Sequence, residues 1–170
     1  MSLVVGVFLV GWVGCLALQD WCWRRLPNAC LLAGVLAGVV HCVAYGVTPF
    51  GATIANGVVT AALGLLLLLP LYAAGWMGGG DVKLLAVVGW LGGAQVWLVV
   101  FVLASVLGGL IAVLMQSSRL RPLFSRASLP ARLQGRIPFG AAAAVVVVAL
   151  IFGWVDVSIL PFRLADIGHA

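Results

Sequence analysis

Glutamate is absent from this 170-residue chain, lysine occurs once, and all four acidic residues are aspartates. Charged residues make up 8% of the sequence, against about 25% in a soluble domain. So little charge cannot cover a water-facing surface. It excludes a soluble enzyme, a disordered tail and a nucleic-acid-binding domain. Without glutamate there is no H-E-x-x-H zinc motif. The two histidines, His41 and His169, fall on the outer half or outer side of the topology derived below, so a Ser–His–Asp set is implausible. The four cysteines, at 15, 22, 30 and 42, form no C-x-x-C pair. That argues against zinc or dithiol chemistry and for buried, inert thiols. No metal site is expected.

What the chain has instead is apolar length. Hydrophobic residues account for 65% of it, and its mean hydropathy is +1.26. The class is a single-domain polytopic membrane protein, all-α, occupying residues 1–170. The first segment lacks the basic flank of a secretory signal and is expected to remain as a span. Apolar runs cover Leu3–Leu18, Ala29–Val47, Ala52–Gly75 and Ile137–Val155. The stretch Val82–Met115 is too long for one crossing of a hydrocarbon core about 30 Å thick. Gly92-Gly93-Ala94-Gln95 offers a break.

The cations decide whether to split there. With the split, Arg24, Arg25, Lys83, Arg119, Arg121, Arg126, Arg132 and Arg136 all lie on one side, and Arg163 alone lies on the other. The positive-inside rule then gives six spans with both termini outside. Cytoplasmic loops are expected at 20–28, 76–83 and 117–136. The net charge of +5 records this topology, so no nucleic-acid partner is implied. Gly34 and Gly38, and Gly89 and Gly93, form G-x-x-x-G pairs that let helix backbones approach. Tryptophans near span ends, such as Trp76 and Trp154, read as an interfacial belt.

The same topology sorts the acids. Asp156 and Asp166 follow the last span and lie outside. Asp20 closes the first span and Asp81 opens the fourth, both at the inner edge. Two acids thus reach one membrane depth from different helices. An acid at such a depth is costly and is by default functional. Two neighbouring carboxylates in a low dielectric do not both ionise easily, so the pair shares a proton. That is the working state of an aspartic protease. One Asp activates water as general base, and the other, protonated, polarises the scissile carbonyl. The bland alternative makes Asp81 a helix-starting residue favoured by the helix dipole and Asp20 a partner of Arg24. The glycines of Gly78-Gly79-Gly80-Asp81 sharpen the protease reading. A backbone free of side chains tolerates positive φ and can approach an extended substrate beside the acid.

Three stretches resemble the type IV prepilin peptidase family, membrane aspartic proteases of the G-x-G-D kind. Asp20 followed by Arg24-Arg25-Leu26-Pro27-Asn28 is similar to the family's first acid and its basic Leu-Pro-Asn turn. Gly78-Gly79-Gly80-Asp81-Val82-Lys83-Leu84 is similar to its second motif. Arg136-Ile137-Pro138-Phe139-Gly140 is similar to the Pro-aromatic-Gly motif that opens the last helix. The resemblance covers nearly the whole chain.

It implies a hydrolase with Asp20 and Asp81 as the catalytic pair and no cofactor or metal. The implied substrates are prepilins or pseudopilins, whose short basic leader is removed at the cytoplasmic face of a bacterial or archaeal inner membrane. Gly78, Gly79, Gly80 and Lys83 are expected to contact substrate. Bifunctional members carry an added cytoplasmic segment with paired C-x-x-C cysteines. Here only eight residues, Trp21 to Asn28, separate Asp20 from the second span, so peptidase activity without N-methylation is expected. The short form is similar to the branch that serves tight-adherence (Flp-type) pili. The leader and the inner face are both basic, so anionic lipid is the expected partner that holds the leader at the membrane. Lys83 either meets the acidic residue after the cut or snorkels to the interface.

Two further readings stand beside this one. In the first, a transporter or pilus-assembly subunit uses Asp20 and Asp81 as a proton or cation relay. In the second, a structural protein uses both acids as helix caps.

Overall fold

The computed structural model describes residues 3–23, 27–116 and 139–153. The expected basic loop 117–136, Arg24 and Arg25, and Trp154, Asp156, Arg163, Asp166 and His169 lie outside the described residues. Five helices are present: α1 (Leu3–Trp23), α2 (Asn28–Tyr45), α3 (Ile54–Ala73), α4 (Gly79–Gln116) and α5 (Phe139–Ile151). The described secondary structure is otherwise limited to turns and one isolated bridge, Val47 to Thr53. Helices satisfy every backbone polar group internally, which is what a bilayer demands.

Three helices are long and apolar enough to cross a membrane: Asn28–Tyr45, Ile54–Ala73 and Gly79–Ile111. Val5–Asp20 and Phe139–Ile151 are shorter apolar helices. Large apolar side chains such as Leu18, Val40, Val43 and Leu66 are exposed on the outside of the bundle. On a soluble protein such surfaces would drive aggregation, and in a bilayer they meet lipid. The chain is a helical membrane protein.

The helix ends follow from local chemistry. α2 starts after Pro27, whose extended backbone (φ −70°, ψ 135°) turns its carbonyl toward the amides of Cys30 and Leu31, at 3.1 and 3.3 Å. It ends at Gly46 in the left-handed region, whose N–H bonds Cys42 O. Thr53 caps α3 by accepting the amide of Asn56 at 3.3 Å. The apolar part of α1 ends at Asp20, as the sequence indicates. The helix itself continues to Trp23.

α4 is broken where the glycines suggest. Gly93 has φ 69° and ψ −172°, a combination essentially restricted to glycine. The break is held by Asn56 of α3, whose Oδ1 accepts the amide of Ala94 at 3.1 Å and the hydroxyl of Thr60 at 3.0 Å. The two halves turn toward each other. A Cβ placed on Gly89 would lie 3.1 Å from Trp97 Cδ1, whereas residues eight apart in a straight helix are separated by about 12 Å of rise.

α4 is the centre of the bundle, in contact with α2, α3 and α5. α1 packs on α5 and α2. α5 therefore lies between α1 and α4. Its buried Ala142, Ala143 and Ala144 present little bulk, and Val146 and Val147 fill the space beyond them. The core joins Leu9 and Leu16 of α1, Leu85, Leu91 and Val100 of α4, and Leu68 of α3.

Gly34 and Gly38 work differently from the expected backbone-to-backbone contact, whereas a Cβ on Gly89 would lie 3.3 Å from the Ala61 amide nitrogen of α3, a close backbone approach. The Trp12 indole lies directly over Gly34, and the Trp90 indole over Gly38. Trp12 Nε1 donates to Cys30 O at 2.6 Å and Trp90 Nε1 to Val35 O at 3.3 Å. These tryptophans are wedges between helices rather than interfacial anchors. A large ring buries more area than a glycine–glycine contact and still places its N–H on a carbonyl. Trp76, at 84% exposure, keeps the surface position expected of it. Of Cys15, Cys30 and Cys42, Cys42 is buried, Cys30 is partly buried and Cys15 is exposed.

Candidate active site

One end of the bundle gathers the C-terminal turn of α1 and the first turns of α2, α4 and α5. Three hydrogen-bonded contacts define it. Gln19 of α1 reaches Cys30 of α2, Nε2 to Sγ at 3.6 Å. Lys83 of α4 donates from Nζ to Asn28 Oδ1 of α2 at 3.0 Å. Ala141 of α5 donates its amide to Asp20 Oδ2 of α1 at 2.9 Å. The charged side chains that are described, Asp20, Asp81 and Lys83, all stand at this end.

Asp20 occupies the last turn of α1 and is 6% exposed. A buried carboxylate requires hydrogen bonds to offset its desolvation. The first amides of a helix have no intrahelical acceptor and carry the positive end of its dipole. The first turn of α5 thus offers Asp20 a donor that costs α5 nothing. A hydrogen bond to a charged group contributes about 1.5–3 kcal/mol. A Cβ on Gly140 would lie 3.0 Å from Asp20 Oδ2 and 3.1 Å from its Cγ. The carboxylate rests on the bare backbone of that glycine.

Asp81 is the third residue of α4. Its amide and that of Val82 both bond Gly78 O, at 3.0 and 3.2 Å. Its carboxylate folds back over the start of its own helix, since a Cβ on Gly78 would lie 2.8 Å from Oδ2. That is the posture of an acid at the third position of a capping arrangement. The bland reading of Asp81 as a helix-starting residue therefore describes its local geometry, and it leaves the carboxylate at the acid end of the bundle.

The glycines before Asp81 are more ordered than their number suggests. The positive φ near this turn belongs to Gly75 (75°), not to Gly78, Gly79 or Gly80. Gly79 and Gly80 are already helical, and Gly79 sits beneath the Tyr72 ring, with 3.1 Å between its would-be Cβ and Tyr72 Cε2. Lys83 is exposed but tethered, since it ties the start of α4 to the start of α2. Asn28 as its partner was not anticipated. The Pro27-Asn28 pair in the first motif was the available signal. The same is true of Ala141, whose place after Pro138-Phe139-Gly140 marks it only once α1 and α5 are seen together.

The opposite end carries no acid among the described residues. It holds a cavity of about 420 Å³ lined by His41, Tyr45, Thr48, Phe50 and Leu150, among others. His41, 9% exposed, donates from Nδ1 to Val47 O at 3.0 Å. None of the described acids lines this cavity. Among the described residues no three His, Cys or Asp side chains gather closely enough to hold a metal ion.

An α-helical membrane bundle with two acids at one end is a form suited to proteolysis at a membrane surface. Residues 7–113 match the model of the type IV leader peptidase family, and the chain belongs to that family. The match includes Asp20 and Asp81 and ends before α5. No curated protein matches the chain, and no solved structure does. Family membership makes the protein a membrane peptidase. It sets aside the relay and scaffold readings.

Proposed function

We propose that this protein is an aspartic endopeptidase that removes the short basic leader of prepilins or pseudopilins. Asp20 and Asp81 are the reacting pair. One carboxylate takes a proton from water as the oxygen attacks the scissile carbonyl. The other, protonated, hydrogen-bonds the carbonyl oxygen and stabilises the charge that develops there. Collapse of the tetrahedral intermediate expels the new amine, which takes up the proton held by the pair. The observation that carries this reading is the family match across two acids that stand at one end of the bundle, on helices flanking α5.

The acid end faces the cytoplasm of a bacterial or archaeal inner membrane, in six spans with both termini outside. The distribution of arginines supports this orientation. The break at Gly93 supports it too, because the six-span count requires α4 to cross twice. The pilin's apolar helix docks laterally against the bundle, with its basic leader held near anionic lipid. The short connection between α1 and α2 supports peptidase activity without methylation, of the Flp-pilus kind. Gly78 and Gly79 serve the Asp81 turn and its packing, and their bare backbones leave room for substrate beside it.

Lys83 is the remaining candidate for substrate contact, through the acidic residue after the cut. Its bond to Asn28 is solvent-exposed, and such bonds contribute little to stability. Lys83→Glu is then expected to accumulate normally and to raise KM for a prepilin with that acid while sparing one that lacks it. Equal KM for both substrates removes the pairing. The activity itself is tested by co-expression with a Flp-type prepilin, with the product identified by mass spectrometry. Cleavage between the basic leader and the apolar helix is expected. A prepilin left intact by well-expressed protein contradicts the proposal.

A further inference from the structure

α5 touches both acid-bearing helices, and its first turn meets one of the acids directly. Two observations of different kinds describe that meeting. The amide of Ala141 donates to Asp20 Oδ2 at 2.9 Å. Independently, the space above Gly140 is filled by the same side chain, with Asp20 Oδ2, Cγ and Cβ at 3.0, 3.1 and 3.4 Å from a would-be Cβ. Oδ2 is the atom in both contacts, so one oxygen of the carboxylate is held and its plane lies against a backbone with no side chain. Asp20 is buried and has little room to re-orient if either contact changes.

We propose that the first turn of α5, through Gly140 and the amide of Ala141, is the positioning element for the Asp20 carboxylate. The last helix is then part of the catalytic apparatus, although the family match ends at residue 113. The catalytic half of this inference rests on the peptidase reading, and the contact itself does not. Placement matters because a displacement of about 1 Å at a reacting group costs on the order of a hundredfold in rate. A methyl group on Gly140 cannot be accommodated without moving the carboxylate by a few tenths of an ångström. An amide removed from residue 141 leaves Oδ2 without that donor. α5 would lose no hydrogen bond of its own, because first-turn amides have no intrahelical acceptor and proline is tolerated there.

The absence of glutamate makes the contact directly visible. With four aspartates in the chain, protein labelled with ¹³C at the aspartate carboxyl carbon gives four carboxyl resonances, and Asp20→Asn identifies that of Asp20. In lipid nanodiscs, Gly140→Ala and Ala141→Pro are each expected to shift the Asp20 resonance and to leave those of Asp156 and Asp166 in place. Gly109→Ala, where nothing lies within 4 Å of the new Cβ, is expected to shift none. For leader cleavage, Gly140→Ala is expected to lower kcat about tenfold or more with KM changed less than about twofold. An unmoved Asp20 resonance in both α5 variants overturns the contact. A shifted resonance with wild-type kcat overturns the positioning role. A shifted resonance in a protein whose wild type cuts no prepilin keeps the contact and overturns the catalytic role together with the peptidase reading.

Discussion

The two ends of the bundle solve the same problem with different materials. At the end opposite the acids, the turn between α2 and α3 is closed by neutral groups, most of them within a few residues, and the Phe50 amide ties it to α4 by donating to Leu91 O at 3.3 Å. Thr48 exchanges bonds with Ala52, its amide donating to Ala52 O and its hydroxyl accepting the Ala52 amide, at 2.9 and 3.0 Å. Thr53 caps α3, and His41 closes onto Val47. At the acid end the contacts run between distant parts of the chain, Ala141 to Asp20 and Lys83 to Asn28. The acid end requires four helices in register, and a carboxylate is buried there. The difference is one of charge: the cavity beside His41 lies at a neutral end, while the described acids lie where distant segments of the chain hold one another.

That contrast can be broken most severely at the acids. Replacing Asp20 or Asp81 by Glu keeps the charge but moves the carboxyl out of place. Each change is expected to lower prepilin cleavage by about 10²–10⁴-fold, the usual range for general acid–base groups. Near-wild-type turnover by either Glu variant in a time course would show that placement at this end is not critical.

A smaller effect is expected at the break in α4. Gly93→Ala forces a side chain into a backbone conformation that costs about 1–3 kcal/mol. It also sets a Cβ 2.9 Å from that of Ala52. The expected result is a thermal midpoint in detergent lowered by roughly 2–10 °C, with residual activity scaling with folded protein. An unchanged midpoint would mean that α4 does not need this turn. The smallest effect is expected at the cavity. His41→Gln loses a hydrogen bond contributing about 1 kcal/mol, and cleavage in membranes should stay within about twofold of wild type. A hundredfold loss would relocate the chemistry.

Much of this was legible in the sequence, for identifiable reasons. Apolar length announces spans whatever their neighbours, so the helices fall close to their expected ranges. Gly93 was legible because an uninterrupted Val82–Met115 helix would overshoot the bilayer. Asp20 and Asp81 stood out because so few charges compete with them. The lateral contacts were not legible. A segment apolar on all sides has no polar face to announce its rotation, so nothing showed that Trp12 would turn onto Gly34 or Trp90 onto Gly38. The contact between Asp20 and Ala141 was hidden for the same reason. The Ala141 amide lies 121 residues from Asp20 along the chain.

The measurement that bears most directly on the paired acids is leader cleavage by purified protein in liposomes, with wild type, Asp20→Asn and Asp81→Asn side by side at matched folded amounts. Loss of cleavage in both variants, with wild type active, is the predicted result. Full activity in either variant would contradict the pair, because a reaction that needs both carboxylates cannot survive the loss of one.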